Sequence, residues 1–125
     1  MDRREQAVEL KHNRHNCCQA VLCAFADKVE LPQDVLRKLG AGFGIGMGHM
    51  EGTCGAFIAA EMLLGLWRFE GRPVIRDAGV LHERFREACG ATLCKDLKGR
   101  DTGVVICECD DCVRRAVELA EELLA

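Results

Sequence analysis

The sequence predicts an all-α single domain of about six helices, with a glycine-rich loop between the third and the fourth. Three observations carry that expectation. Apolar residues recur at helical spacing in one segment after another. The residues at the ends of those segments are helix starters and stoppers. Strand signals are poor, because the chain has no Tyr and its one cluster of β-branched residues is Val104-Val105-Ile106.

Asp2 to Lys11 reads as a short leading helix. Asn16 is a suitable N-cap for a second, Cys17 to Ala26, since its side-chain oxygen can accept from an amide that the first turn leaves free. Leu31-Pro32 opens a third, which carries Val35, Leu36 and Leu39 and stops at Gly40. Ala56 to Trp67 is apolar on nearly every side and reads as a central buried helix. Glu61, its lone charge, is expected to reach the surface or pair with an arginine. Pro73 suits the first turn of a fifth helix, in which Val74, Ala78, Leu81, Phe85 and Ala88 share a face and Gly90 is the stop. His82 lies beside that face. Val113, Ala116, Val117, Ala120 and Leu124 line one side of the last helix.

At 125 residues the chain fits one domain, residues 1–125, and 49% apolar composition is enough for one core. Its net charge of −3 offers no basic footprint for nucleic acid and no polybasic membrane anchor. The amino-terminal segment lacks the apolar stretch of a signal peptide. The longest apolar run falls short of the ~20 residues a bilayer span needs. A cytoplasmic location is therefore expected. Exposed helix faces could form a homodimer, and any redox partner is unspecified.

Nine cysteines are many for a reducing compartment. The count is odd, so a complete disulfide framework does not explain it, and metal binding or redox chemistry does so better. Several of the nine should simply pack, as small hydrophobes do. Cys23 and Cys89 fall on helical core positions. Others fall at helix starts: Cys17 and Cys18 after Asn16, Cys54 after Thr53, and Cys107, Cys109 and Cys112 around the start of the last helix. A helix amino terminus carries free N–H groups and partial positive charge, which favours thiolate. Cys94 lies beyond the Gly90 stop and is freer to act. Cys109-x-x-Cys112 is a single CxxC, so further ligands for any metal must come from distant segments.

Seven glycines fall within residues 40–55, which rules out a stable helix there. A phosphate-binding reading fails, because a helix rather than a strand precedes the loop and no GK[ST] follows. The remaining readings are a tight connection between helices, or a loop whose amides approach cysteine sulfurs. His49 is the one histidine in this loop and is considered as a ligand or proton-transfer group; His12 and His15 lie elsewhere.

Asn16-Cys17-Cys18-Gln19-Ala20-Val21-Leu22, then Gly42-Phe43-Gly44 through Gly48, Thr53-Cys54-Gly55-Ala56, Leu64-Gly65-Leu66, Cys94, and Cys109 ahead of Val113 appear in that order. This series resembles the C_GCAxxG_C_C family of small redox-active proteins, named for a CGAxxG signature and four hallmark cysteines. The resemblance runs over about residues 5 to 124. It implies an all-helical fold and a redox or metal role. It also implies that the hallmark cysteines are Cys17, Cys54, Cys94 and Cys109, with Cys107 as the alternative for the last. A similar domain accompanies haem domains in the split-Soret cytochromes, which favours an iron–sulfur centre; with no CxxCH, covalent haem attachment is not expected here. Ala59 stands where the signature has its second glycine.

The expected function is a four-cysteine redox site at those positions, holding an iron–sulfur or other metal centre for electron transfer or sensing, with Gly44, Gly46, Gly48 and Gly55 approaching it. Two alternatives stay open. One is a metal-free dithiol–disulfide protein in which Cys17 or Cys54 attacks. The other is a structural zinc site in an interaction module. Whether the chain is an enzyme, an oxidoreductase, or an electron carrier is left open.

Overall fold

The computed structural model describes residues 2–124. Seven α-helices carry the fold: α1 (Arg3–Lys11), α2 (Cys17–Ala24), α3 (Gln33–Gly40), α4 (Gly55–Arg68), α5 (Ile75–Cys89), α6 (Cys94–Lys98) and α7 (Cys109–Leu124). Among the described residues there is no strand, and one isolated antiparallel bridge joins Thr53 and Leu93. The all-α class and the loop between α3 and α4 agree with the sequence. The short α6 was not anticipated, because five residues are too few to show periodicity.

Local chemistry explains the boundaries. Asn16 caps α2 reciprocally: its side chain accepts from the Gln19 amide at 2.8 Å, and its own amide donates to Gln19 Oε1 at 2.8 Å. The same Asn16 reaches the Gly40 and Ala41 carbonyls, so one side chain fixes both the start of α2 and the end of α3. α2 ends at Ala24 rather than Ala26, and residues 26–28 form a 3-10 turn. Thr53 does not cap α4. Cys54 takes the N-cap position, since the Thr53–Leu93 bridge holds Thr53 extended one residue earlier.

α2 lies at the centre and packs on α1, α3, α4 and α7, while α4 also meets α5 and α7. Val21, Leu22, Leu36, Leu63, Leu64, Val113 and Val117 are buried between them. Phe57 stacks on Phe85 at 5.0 Å between ring centres, and Phe25 meets the edge of Trp67 at 5.5 Å. His82 is exposed, with its ring edge-on to Phe57. Glu61 stays partly buried on α4, and one of its carboxylate oxygens has no hydrogen-bond partner. Burial pushes its pKa up to about 7, and among the described residues no arginine pairs with it. No helix among the described residues is long and apolar enough to cross a membrane.

Candidate redox and metal centre

Four segments converge at one end of the bundle. The start of α2 brings Cys17, the N-cap of α4 brings Cys54, the start of α6 brings Cys94 and the first residue of α7 brings Cys109. Reciprocal backbone bonds set two of them side by side. The Cys54 amide donates to the Thr92 carbonyl at 2.8 Å, and the Cys94 amide donates to the Gly52 carbonyl at 3.0 Å. All four cysteines line one cavity of about 430 Å³, together with Lys11, His15, Asn16, Ile45, Gly46, Met50, Gly55 and Lys98. Cys107 does not line it.

The glycine loop builds part of the cavity wall through Ile45, Gly46 and Met50. Ile45, Gly46, Met47 and Gly48 have consecutive positive φ angles of 52°, 54°, 63° and 98°, forming a short left-handed turn closed by a Gly48 amide to Gly44 carbonyl bond of 2.9 Å. Left-handed backbone costs an L-residue roughly 1–2 kcal/mol, and Ile45, being β-branched, is strained there. At Gly46 a Cβ would sit 2.5 Å from the Cys94 Cβ, so that close approach needs glycine. At Gly55 a Cβ would lie 2.2 Å from the Phe43 carbonyl oxygen and 2.7 Å from the Cys17 sulfur. Of the four glycines expected near the site, Gly46 and Gly55 line the cavity, Gly44 packs on the Asn16 side chain, and Gly48 has nothing beside it. His49 is exposed and outside the cavity; its carbonyl accepts from Arg100.

The electrostatics separate the thiols. Cys17 and Cys109 interact side chain to side chain, which holds the Cys17 proton on and lowers Cys109 well below the ordinary thiol range. Lys98 and Lys11 add to the Cys109 thiolate's stability, while burial opposes it. Cys54 and Cys112 also interact side chain to side chain, and with burial this pushes the Cys54 thiol well up, against the pull of the Phe57 and Ala56 amides at the start of α4. Burial also raises Cys94. The thiol most ready to ionise is therefore Cys109, not Cys17 or Cys54. A helix start alone did not decide this, because interaction between neighbouring thiols outweighs the helix amides.

Lys98 gave no signal in composition. It stands one turn after Cys94 on α6, the spacing that places two side chains on one face. Its ammonium is buried without an oxygen or nitrogen partner. Burial opposes its charge, yet Cys112, Cys109, Cys54 and Cys94 together hold its pKa above the ordinary lysine value. His15 is similar: Nδ1 bonds the Asn13 carbonyl at 2.7 Å, while Nε2 is buried and unpartnered. If Nδ1 carries the proton, Nε2 presents a lone pair.

Cys89, Cys107 and Cys112 form a second group. Their sulfurs all lie within 4.8 Å of one another, an arrangement that could hold a metal ion. Among the described residues, no such group of three includes Cys17, Cys54, Cys94 or Cys109. Cys89 is buried in the core at the end of α5, as expected, and is also a member of this group. Cys18 and Cys23 are buried on α2, where burial raises both thiols, Cys18 to about 12.

The family model described as "Putative redox-active protein (C_GCAxxG_C_C)" matches residues 15–123. Comparisons with curated proteins and with solved structures give no significant match.

Proposed function

The chain belongs to the C_GCAxxG_C_C family of redox-active proteins, and we propose that Cys17, Cys54, Cys94 and Cys109 hold an iron–sulfur cluster used for electron transfer or sensing. The observation that carries this reading is the buried, unpartnered Lys98 ammonium facing a cavity lined by these four cysteines. An unpaired buried cation is costly. Thiolate ligands around a cluster would supply the missing negative charge. Such a centre supplies a reversible one-electron couple, tuned by hydrogen bonds and charge around its sulfurs.

The spacing favours a cluster over a single zinc ion. A tetrahedral zinc with Zn–S of about 2.3 Å needs its four sulfurs about 3.8 Å apart. No three of these four meet even a 4.8 Å limit, so one ion would have to draw separate helices together. A polynuclear centre bridges that gap without such movement.

Anaerobic purification followed by iron and acid-labile sulfide analysis, with a visible spectrum, tests the reading. Iron and sulfide in similar amounts, both lost in Cys94→Ser, are expected. Folded protein with neither iron nor sulfide, before or after reconstitution, refutes it.

A metal-free alternative rests on the Cys17–Cys109 pair. The Cys109 thiolate would attack a partner's disulfide, forming a mixed disulfide and releasing one partner thiol. Cys17, giving up its proton, would then attack the Cys109 sulfur. That leaves a Cys17–Cys109 disulfide and a reduced partner, two electrons having moved. Loss of two free thiols per chain on mild oxidation, abolished in Cys109→Ser, would support it.

A further inference from the structure

The second cysteine group is built by close packing at the end of α5. Gly90 ends that helix with φ 95°, and Ile106 lies against it so tightly that a Cβ at Gly90 would sit 2.7 Å from the Ile106 Cγ2. The amides of Ile106 and Cys107 both donate to the Leu97 carbonyl, at 3.0 and 3.3 Å. This fixes the segment entering α7 over the α5 terminus and sets Cys107 beside Cys89. One turn into α7, the Cys112 amide donates to the Glu108 carbonyl at 2.9 Å, and its sulfur completes the group. Cys89 is 3% exposed and Cys112 is fully buried, while Cys107 is partly open.

We propose that Cys89, Cys107 and Cys112 form a second metal site, which takes a soft monovalent ion of the Cu(I) class in three-coordinate, all-sulfur ligation. The donor set makes the choice. Soft thiolates select soft ions. The group holds three sulfurs and no histidine or carboxylate, whereas a structural zinc closes with four ligands and a catalytic zinc needs an open position for water. Three sulfurs about 2.3 Å from one ion stand about 4 Å apart, so contraction of less than an ångström closes the site. Binding releases three protons: Cu⁺ and three thiols give a tris-thiolate complex of charge −2. The nearby Lys98 ammonium, which already acts on Cys112, offsets part of that charge. The three ligands are distinct from the four cavity cysteines, and the proposal stands whether or not the cavity holds iron.

The test is anaerobic titration of the full-length protein with Cu(I) against a competing Cu(I) chelator, with X-ray absorption to count sulfur ligands and iron measured on the same samples. One tightly held Cu(I) with three sulfurs is expected. Cys107→Ser, at the partly open position, should weaken it roughly 100-fold or more, since even losing a partner behind a metal ligand costs 10–100-fold, and should leave any iron unchanged. Cys94→Ser should keep the copper. Retention of tight copper in both Cys107→Ser and Cys89→Ser, two-sulfur ligation, or loss of copper in Cys94→Ser would overturn the proposal. A chain that binds copper as expected but no iron would refute the cluster reading alone.

Discussion

The cavity cysteines and the Cys89 group use the same side chain in opposite settings. Around the cavity, four sulfurs come from four separate segments, no three of them within 4.8 Å of one another, and face two lysines across about 430 Å³ of open space. At the end of α5, three sulfurs crowd within 4.8 Å under Ile106, with Cys89 and Cys112 buried. Ligand spacing and compensating charge, rather than the number of thiols, decide what each set suits. Thiolates from four segments beside a buried cation suit a polynuclear anionic centre. Crowded thiols with no other donor suit one soft ion.

The strongest way to break this contrast is to spoil one wall and leave the other alone. In Gly55→Ala the new Cβ meets the Phe43 carbonyl and the Cys17 sulfur. The gain in helix propensity of about 1 kcal/mol is outweighed by an overpacking cost of up to about 3 kcal/mol. A net loss of about 2 kcal/mol in denaturant unfolding is expected, with any iron lost and copper binding kept. Gly65→Ala, on the same helix with open space beside it, should instead gain about 0.5–1 kcal/mol. Equal effects from the two would show that the cavity wall is not tight.

Removing the buried cation comes next. Lys98→Met should lower the iron retained after anaerobic purification and should make the metal-free protein slightly less stable, because the cysteines that hold the Lys98 pKa up lose their cation. Unchanged iron retention would mean that Lys98 is merely packing.

Thiol alkylation across pH sharpens the comparison further. In metal-free protein Cys109 should become reactive with a midpoint well below the ordinary thiol value of about 8.5. Lys98→Met should move that midpoint upward. Peptide mapping of the alkylated sites checks both.

The smallest effect lies outside both groups and calibrates them. Glu61 has its pKa raised to about 7 by burial. Its cost is absent below the ordinary carboxylate range and develops as pH rises through 7. Glu61→Gln should therefore stabilise the protein at pH 8 by about 1 kcal/mol, after allowing for its partial exposure, and change little at pH 4. Stabilisation that does not vary with pH would show that charge is not the cause.

Much of this architecture was legible in the chain. Asn16 followed by Gln19 is a complete capping signal, and the apolar stripes of α5 and α7 carry their own period. The crowding of glycine at 40–55 announced a backbone under unusual demands. It could not say that residues 45–48 turn left-handed, because Ile45 and Met47 are poor residues for that conformation and tertiary packing overrides them. α6 escaped notice for want of length, and Lys98 escaped with it. Cys89 looked like core because it continues a buried stripe; what makes it a candidate ligand is the Leu97 carbonyl, which draws residues 106 and 107 across from elsewhere. Reading Cys17 and Cys54 as acidic thiols relied on helix ends alone. The thiol–thiol contacts that reverse the order exist only once the helices meet.

One contact joins the two groups. Cys54, on the cavity wall, and Cys112, a member of the other set, each shift the other's ionisation. An ion that claims Cys112 changes what Cys54 faces, and a centre that claims Cys54 changes what Cys112 faces. Occupancy of either position must then alter affinity at the other by one common factor, whichever is filled first. Through this shared sulfur boundary the protein would report the supply of one metal in its hold on another.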